Sequence, residues 1–473
     1  MYLITWPAQH QTLSGSIGLP ASKSISNRLL ILNALSRQAI PVENLSEADD
    51  TRLLRDLLAK AEATHPNPPG DPDAPHGLST DETGRTPVVL DCRNAGTVLR
   101  FLTAFLARRP GTWLLTGSGR MKQRPVGVLV EALRNLGASI EYRGGAGYPP
   151  LLISGRDLRG GEVVMDGSVS SQFLSALLMI GPLLPGGLTI RITGRPVSRP
   201  YVEMTAGVMK QLGAGVTHHG NLLVAAPGEY HPEELGPGGF HVEADWSSAA
   251  FWYEAAALAG NAEILLPGLH FHSLQGDAAL AELFRPFGVE TTFEEEGVSV
   301  SSGQLAIGSW QSAVGSGQSA FRPSSISRPL VRRSAGPPVR LSACPDLAPA
   351  LIVTYAALGI AARFTGLHHL ATKESDRLRA LQKELKRIGR PVRVRAPGII
   401  ETLNEAPLTT LPKGSDPVCI NTYGDHRIAM AFAPLALMTG AICIDEPGVV
   451  SKSYPGFWED LKRMGFRIEK MAK

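Results

Sequence analysis

Five amphipathic stretches of the chain end in the same way, with a helix-like pattern that runs into a glycine and then into a short strand-like stretch. The stretches read EALRNLGASIEY, MKQLGAGVTHH, LFRPFGVETTF, LKRIGRPVRV and LKRMGFRIEK, with glycines at Gly137, Gly213, Gly288, Gly389 and Gly465. Glycine is typical just after a helix, because it readily adopts the left-handed conformation that often ends one. Three of the four intervals between these glycines are 75 or 76 residues, and the fourth is 101. The pattern predicts a repeated unit of helices and strands about 75 residues long.

The longer interval, between Gly288 and Gly389, is explained by an insertion. The stretch 309–338 is rich in Ser, Gly, Arg and Pro without an apolar period, which predicts a flexible segment. Counting 76 residues back from Gly137 reaches Ala61, at the end of the helical stretch DTRLLRDLLAKAEA, so we expect a sixth copy that lacks its glycine. The polar stretch 64–86 that follows predicts a second insertion.

Six repeated units predict two domains, because three units suffice to close a core. The stretches ITW near the start and RIEK near the end are both strand-like, so we expect the first strand to pair with the last part of the chain. The boundary is expected near 242–245. One domain would then be discontinuous and comprise residues 1–21 plus 245–473, and the other would comprise 22–244.

Composition agrees with an α/β protein that has many turns. The chain has 473 residues, a hydrophobic fraction of 43%, 50 Gly and 36 Pro. A net charge of +3 is too small for nucleic-acid or membrane binding by bulk electrostatics, so any recognition of anions is expected to be local. The N-terminus lacks a basic segment followed by an apolar core, and no apolar run reaches the roughly 20 residues of a membrane span. We therefore expect a cytoplasmic protein.

Cysteine and motif patterns exclude several cofactors. The cysteines are far apart and form no CxxC, so we interpret Cys92, Cys344, Cys419 and Cys443 as buried reduced thiols. The histidines have no partner set with metal-ligand spacing, which predicts no metal site. There is no Walker A sequence, and GSGR at 117–120 is too short for a dinucleotide fingerprint, so ATP and NAD are not expected.

Cationic residues recur where an apolar strand gives way to a polar turn and then to a helix. These cations are Lys23, Arg28, Arg100, Arg124, Arg199, Lys373, Arg377, Arg427 and Lys452. Small polar residues that precede five of the apolar helices are typical N-caps, but N-capping does not explain the added cations. Helix N-termini with cations nearby attract anions, so the pattern predicts phosphate-containing ligands.

Two candidate catalytic stretches each have two interpretations. Asp346 precedes the apolar helix of CPDLAPALIVTYAAL, where it is either an N-cap or a base in a ligand cleft. The stretch TKESDRLRALQKEL, with Lys373, Glu374 and Arg377, is either a salt-bridged surface helix or part of a ligand site.

Eight motifs resemble those of the 5-enolpyruvylshikimate-3-phosphate synthase family and occur in that family's order between residues 19 and 461. They are LPASKSISNR, NAGTVLRFLTA, GRMKQRPVGVLVEAL, GSVSSQFLSALLM, SRPYVEMT, KESDRL, TYGDHRIAMAFA and SKSYPGFWEDL. The resemblance implies an α/β fold of two domains joined by a hinge, each an inside-out α/β barrel of three βαβαββ units.

The resemblance also implies an activity in chorismate and aromatic amino acid biosynthesis. The enolpyruvyl group of phosphoenolpyruvate would be transferred to the 5-hydroxyl of shikimate-3-phosphate, with release of phosphate through a tetrahedral ketal. Asp346, helped by Lys23, would assist the attack on C2, and Glu374 or a lysine would protonate C3. No metal or organic cofactor would take part, and we expect a monomer that binds neither nucleic acid nor membrane.

Carried over residue by residue, the family's sites imply two overlapping ligand sets. The shikimate-3-phosphate set is Lys23, Ser24, Arg28, Ser170, Ser171, Gln172, Ser198, Arg199, Tyr201, Asp346 and Lys373. The phosphoenolpyruvate set is Lys23, Asn94, Gly96, Arg124, Gln172, Arg377, Arg427 and Lys452. The implied catalytic residues are Lys23, Asp346 and Glu374, and Arg100 would only support Asn94. The domain 22–244 would carry most of the first set, and the discontinuous domain would complete the phosphoenolpyruvate site.

Some positions depart from the family pattern or bear on inhibition. Ala21, Phe101, His369 and Gly424 replace residues that are more frequent in the family, and we carry no ligand role to His369. Gly96 followed by Thr97 resembles the form of the pocket that leaves room for glyphosate, so we expect sensitivity to this inhibitor.

Two other functions compete with this interpretation. The related enolpyruvyl transferase that acts on UDP-N-acetylglucosamine usually carries a reactive Cys or Asp in a loop where this chain reads GSGRMKQRP, with Met121 and Lys122. A phosphate- or RNA-binding scaffold would retain the cations but would not need Asp346 and Glu374.

Overall fold

The computed structural model describes residues 1–7, 12–63, 86–168, 170–194, 198–303, 338–410 and 416–471. The two insertions expected at 64–86 and 309–338 lie outside the described residues, apart from the last residue of each. The chain divides into a discontinuous unit, residues 1–20 with 243–473, and a continuous unit, residues 21–242. These boundaries lie one or two residues from those expected, and the allocation of a substrate to each unit stays a prediction.

The helices and strands alternate along most of the chain. The α-helices of the described residues are α1 Lys23–Leu35, α2 Asp49–Ala63, α3 Gly96–Arg108, α4 Gly127–Asn135, α5 Ser171–Ile180, α6 Arg199–Gln211, α7 Trp246–Ala259, α8 Leu280–Phe284, α9 Ala348–Ala357, α10 Arg377–Arg387, α11 His426–Phe432, α12 Ala436–Thr439 and α13 Phe457–Arg463. None of the helices in the described residues is long and apolar enough to cross a membrane.

The strands are short. In the described residues they are β1 Tyr2–Thr5, β2 Leu13–Ser16, β3 Val42–Glu43, β4 Val88–Asp91, β5 Gly111–Thr116, β6 Ser139–Tyr142, β7 Leu151–Gly155, β8 Gly161–Asp166, β9 Leu188–Thr193, β10 Val216–His219, β11 Leu222–Ala225, β12 Phe240–His241, β13 Ala262–Pro267, β14 Val289–Phe293, β15 Gly297–Ser302, β16 Val339–Arg340, β17 Ala362–Thr365, β18 Arg393–Ala396, β19 Ile399–Thr402, β20 Cys419–Ile420, β21 Ala441–Ile444 and β22 Arg467–Lys470.

The sheets of the continuous unit repeat one connection pattern. In the sheet β4-β5-β7-β6, β4 and β5 are parallel and flank α3 in sequence, whereas β5, β7 and β6 are antiparallel neighbours. The sheet β8-β9-β11-β10 has the same arrangement. Parallel neighbours need a crossover, which the helix between them supplies. The remaining third of this unit contains α1, α2 and the parallel pair β3 and β12.

The discontinuous unit uses the first two strands of the chain to complete two of its sheets. Its sheets are ordered β2-β13-β15-β14, β16-β17-β19-β18 and β20-β21-β1-β22. Strand β1 pairs antiparallel with both β21 and β22, so that Tyr2 lies opposite Ile444 on one side and Lys470 on the other. Strand β2 runs parallel to β13. The prediction that the first strand pairs with the last part of the chain is confirmed.

The glycines that define the repeat lie just after helices and before strands, as predicted. Gly137, Gly213, Gly288, Gly389 and Gly465 have φ values of +99°, +76°, +74°, +75° and +99°. In this left-handed region a side chain would strain the backbone, which explains why glycine marks these helix ends.

Three buried helices pack together in each unit. They are α1, α3 and α5 in the continuous unit and α7, α9 and α11 in the discontinuous unit. Every residue of α9 and α11 is buried, and so is every residue of α7 except Ala259. Helices that are apolar on all sides are typical of a protein interior. About half of the predicted site residues lie at the N-terminal ends of five of these helices, α1, α3, α5, α9 and α11.

The prediction that all four cysteines are buried reduced thiols is confirmed for two of them. Cys92 and Cys344 are buried free thiols. Cys419 and Cys443 form a disulfide, so the expectation of reduced thiols is wrong for this pair. They are 24 residues apart in sequence, but the parallel pairing of β20 with β21 places them directly opposite each other, with Cα atoms 4.1 Å apart. Spacing in the sequence could not reveal this register.

Candidate active site

In the discontinuous unit, charged side chains from four chain segments meet near the starts of buried helices. We call the following set the charge network: Asp346 in the turn before α9, Lys373 and Glu374 before α10, Arg377 at the start of α10, Asp425 and Arg427 at the start of α11, and Lys452 at the end of the turn Pro447–Lys452.

Arg377 is the centre of the charge network, and its side chain is only 2% exposed. Its Nε donates to Asp425 Oδ2 at 2.8 Å, its Nη1 to Asp346 Oδ1 at 3.1 Å and its Nη2 to Glu374 Oε2 at 2.9 Å. Burial alone would lower the pKa of the guanidinium, but the three carboxylates raise this pKa by more, so Arg377 stays charged. Its burial excludes the interpretation of this stretch as a salt-bridged surface helix.

Asp346 is held by two further cations. Arg427 donates through Nη2 to Oδ2 of Asp346 at 3.1 Å and through Nη1 to its backbone oxygen at 3.0 Å. Lys373 Nζ lies 3.7 Å from Asp346 Oδ1. Burial by itself raises the pKa of Asp346, but Arg427, Lys373 and Arg377 outweigh it and hold this pKa well below its usual range. Leu347 occupies the N-cap position of α9, so the N-cap interpretation of Asp346 is wrong.

Glu374 is shared between two cations. Its Oε2 accepts from Arg377, and its Oε1 lies 3.2 Å from Lys452 Nζ. The charge network thus combines four cationic side chains with three carboxylates. Such a cluster can exchange internal ion pairs for contacts with an anionic ligand, because its two arginines are already buried and held in place by carboxylates.

Asp425 is the one member of the charge network that was not among the predicted site residues. Its side chain is fully buried, caps α11 by accepting from the Arg427 N–H at 3.0 Å, and accepts from Ser375 Oγ at 3.0 Å. The signal was present in the GDHR stretch, where an acid stands directly before a helix and two residues before a cation.

In the continuous unit, Lys23 is the first residue of α1 and its side chain is 16% exposed. Its Nζ lies 3.3 Å from Oδ2 of Asp50, in the first turn of α2. Asp50 was not among the predicted site residues, although two consecutive acids at a helix start are a recognisable pattern. Asp50 fixes the direction of the Lys23 side chain.

Arg28 connects three helices and is 2% exposed. It donates from Nε to Thr205 Oγ1 at 2.7 Å and from Nη2 to Ser175 Oγ at 3.3 Å and to the Tyr201 carbonyl at 3.0 Å. Its Nη1 donates to the carbonyl of Ser24, one turn earlier in α1, at 2.7 Å. Burial lowers the pKa of Arg28 to about 10, which still leaves it charged at neutral pH. The side chain therefore fixes α1 against α5 and α6, while its predicted contact with substrate stays a prediction.

Arg124 packs over the start of α3, at Gly96. A Cβ atom on Gly96 would lie 2.5 Å from Arg124 Nη1 and 2.6 Å from its Cζ, so only glycine leaves room for the guanidinium. The Arg124 side chain is buried, and its Nε and Nη1 have no hydrogen-bond partner among the described residues. A buried cation in this condition is a strong candidate for an anion contact. Asn94 lies two residues before α3, next to this site.

The start of α5 has an internal hydrogen-bond chain. Ser170 caps the helix by accepting from the Gln172 N–H at 3.3 Å, and Ser171 is the first helical residue. Gln172 accepts from Arg100 Nη1 at 2.5 Å and donates to Thr97 Oγ1 at 2.8 Å. Arg100 therefore orients Gln172, rather than only supporting Asn94 as expected.

Ser198, Arg199 and Tyr201 lie together at the start of α6. Ser198 precedes the helix in a left-handed conformation, with φ of +55°. Arg199 is 58% exposed, and its Nε donates to Glu203 Oε1 at 3.1 Å. Glu203 also accepts from His218 at 2.5 Å. Burial raises the pKa of Glu203, but hydrogen bonds from His218 and Arg199 lower it by more.

Comparison with known proteins gives consistent results. The sequence profile of the family described as EPSP synthase (3-phosphoshikimate 1-carboxyvinyltransferase) matches residues 7–461. A 3-phosphoshikimate 1-carboxyvinyltransferase of Bacteroides fragilis is 41% identical, over 99% of this chain and 98% of its own. One of Aeromonas salmonicida is 34% identical, over 95% of this chain and 96% of its own.

A solved structure shares the fold. The EPSP synthase structure from Acinetobacter baumannii superposes with a TM-score of 0.70 at 22% identity, over 99% of this chain and 100% of its own. This likeness confirms the predicted two-domain α/β fold. Together with the profile match and the relatives at 41% and 34% identity, it leads to one conclusion: the chain belongs to the EPSP synthase family.

Proposed function

We propose that this protein transfers the enolpyruvyl group of phosphoenolpyruvate to the 5-hydroxyl of shikimate-3-phosphate, forming 5-enolpyruvylshikimate-3-phosphate and phosphate. The observation that carries the proposal is the charge network around Arg377, in a chain of this family. Phosphoenolpyruvate carries a carboxylate and a phosphate, and four converging cations match two such groups. The carboxylates Asp346 and Glu374 supply the proton transfers that a binding scaffold would not need.

The reaction is an addition followed by an elimination. The 5-hydroxyl oxygen attacks C2 of phosphoenolpyruvate while its proton passes to Asp346 or Lys23, and C3 receives a proton from Glu374 or a lysine. The resulting tetrahedral ketal then loses a proton from C3, the bond between C2 and the phosphate oxygen breaks, and phosphate leaves. Cations fixed before the reaction stabilise the charge that develops on the departing phosphate.

Substrate binding is expected to activate Asp346. Its low pKa makes it a weak proton acceptor while Arg427, Lys373 and Arg377 surround it. An anion bound by Arg377 and Arg427 would offset their positive charge and so raise the pKa of Asp346. The base would then become effective only when phosphoenolpyruvate is in place.

Other features of the proposal follow from the family. The protein would act as a cytoplasmic monomer without metal or organic cofactor, in the biosynthesis of chorismate and aromatic amino acids. Glyphosate would compete with phosphoenolpyruvate near Gly96, where no methyl group fills the site.

The test is release of phosphate by the purified protein, given phosphoenolpyruvate and shikimate-3-phosphate. We expect release only with both substrates, and a loss of kcat of at least about 100-fold in Lys23→Met, because a positioned cation is removed. Lys122→Met, at an exposed position, is the matched control and should retain activity. Absence of release, undiminished release by Lys23→Met, or release with UDP-N-acetylglucosamine in place of shikimate-3-phosphate would overturn the proposal.

A further inference from the structure

The loop of residues 421–425, which connects β20 to α11, has an unusual backbone. Tyr423 has φ of +56° and Gly424 has φ of +67°, so two consecutive residues are left-handed. This conformation is uncommon for a residue as bulky as tyrosine and persists only where surrounding contacts impose it. The loop ends at Asp425, which caps α11 and binds Arg377.

Glu384 on α10 provides the contacts that hold the first half of this loop. Its side chain is 1% exposed. It accepts from the Asn421 N–H at 3.1 Å, from Asn421 Nδ2 at 3.2 Å and from the Tyr423 hydroxyl at 2.6 Å. Burial and the hydrogen bond to Glu384 raise the pKa of Tyr423 to about 12, so the hydroxyl remains a donor. Arg387 Nη1 donates to the same carboxylate at 2.7 Å.

Two residues of helix α10 therefore bind the loop, one near each of its ends. Arg377 binds Asp425 at the end of the loop, and Glu384 lies seven residues later, about two helical turns along the same face. From outside the helix, Asp445 accepts from the Thr422 N–H at 2.7 Å. The loop is thus fixed in one register relative to α10.

We propose that Glu384 is a positioning residue for phosphoenolpyruvate: it holds the 421–425 loop so that Asp425 meets Arg377 and Arg427 keeps its place in the charge network. The inference rests on the proposed function. Glu384 does not belong to the network itself and acts through the loop. Loss of its carboxylate would let Tyr423 relax toward ordinary backbone angles, which would move Asp425 and the start of α11.

A purely structural role for Glu384 makes a different prediction. General loosening of the discontinuous unit would lower thermal stability and change both substrate sites or neither. A positioning role moves the Michaelis constant of one substrate, because Arg377 and Arg427 are both assigned to phosphoenolpyruvate.

The experiment compares Glu384→Ala and Glu384→Gln with the wild-type protein. We expect Glu384→Ala to raise the KM for phosphoenolpyruvate about tenfold or more, with kcat and the KM for shikimate-3-phosphate changed by less than about threefold. Glu384→Gln keeps the shape of the side chain and one acceptor oxygen, but its NH2 group can only donate, so its effect should be intermediate. Glu459→Ala, which removes a surface ion pair with Lys462, is the control and should leave all three constants unchanged.

Hydrogen exchange gives a second readout that does not depend on turnover. Backbone amides of residues 421–427 should exchange faster in Glu384→Ala, while those of the continuous unit stay unchanged. Equal rises of both KM values, an unchanged KM for phosphoenolpyruvate, or unchanged exchange at 421–427 would each overturn the inference. If the wild-type protein releases no phosphate, the proposed function fails, and the exchange measurement still decides whether Glu384 holds the loop.

Discussion

At the residue scale, the missing Cβ atom of Gly96 decides where the Arg124 side chain can lie. Gly96 lies under the guanidinium, at the distance where a methyl group would overlap it. The start of α3 can therefore accept a bulky cation only while position 96 has no side chain. The proposed contact between Arg124 and phosphoenolpyruvate would depend on this absence.

We predict that Gly96→Ala raises the KM for phosphoenolpyruvate by about tenfold or more and weakens glyphosate inhibition in parallel, because Arg124 must move away from its place over α3. Steady-state kinetics with both compounds measures the effect. Gly119→Ala is the matched control, since that exposed position has nothing within 4 Å of the added methyl group. An unchanged KM in Gly96→Ala would contradict the proposed use of Arg124.

The sequence allowed the candidate side chains to be predicted, but not their partners. Cations and small polar residues at helix starts follow local rules of capping and charge, so Lys23, Arg377 and Arg427 were found. Asp425 lies 48 residues from Arg377, a pairing that is set by packing and not by any local pattern. Thr205, the partner of Arg28, lies 177 residues away in the chain.

At the scale of elements, the buried helix α7 carries an acidic side chain whose pKa is changed by burial. Its apolar surface allows it to lie in the interior, yet it carries Glu254 at 0% exposure. Both carboxylate oxygens lack a hydrogen-bond partner among the described residues. Burial raises the pKa of Glu254 well above its usual range, so the folded protein favours the protonated form of this group.

We predict that Glu254→Gln stabilises the protein at alkaline pH. The folded pKa is raised, so the stability linked to the protonated carboxyl is present at low pH and is lost as pH rises through the folded pKa. The variant cannot ionise, so it should exceed the wild type by about 1–3 kcal/mol at pH 8 and by little near pH 4. Urea unfolding at several pH values measures this difference.

The control for Glu254→Gln is Glu459→Gln, at an exposed position on α13. It should change the free energy of unfolding by no more than about 0.5 kcal/mol. A gain from Glu254→Gln that is the same at every pH would contradict the assignment of the effect to ionisation.

Helix ends were easier to predict than sheets. The five glycines marked their helices because a left-handed residue is a local requirement. The pairing of β1 with the last strand, β22, was predicted, but the disulfide of Cys419 and Cys443 and the second neighbour of β1, β21, depend on strand order that sequence spacing does not reveal.

At the scale of the whole molecule, the two units differ in the number of chain segments that form them. The continuous unit is built from one uninterrupted stretch, residues 21–242. The discontinuous unit takes β1 and β2 from the start of the chain and everything else from residue 243 onward. The continuous unit is therefore formed by a single segment of the chain, whereas the discontinuous unit needs both residues 1–20 and residues 243–473.

We predict that the fragment 21–242 folds alone, with a cooperative unfolding transition, whereas the fragment 243–473 does not. The second fragment lacks β1, so β21 and β22 lose the strand that both pair with. Addition of a peptide comprising residues 1–20 should restore its structure. Circular dichroism and urea unfolding measure both effects, and cooperative unfolding of 243–473 by itself would contradict the prediction.

The place of β1 also has a consequence for synthesis. Residues 2–5 leave the ribosome long before their partners in β21, residues 441–444, and in β22, residues 467–470. At about 5–20 residues per second, the strand waits on the order of 20–90 s with its backbone hydrogen bonds unmade. The continuous unit can fold during that interval. The nascent chain then carries a folded unit and an unpaired strand that must avoid other strand edges until β21 and β22 have been synthesised.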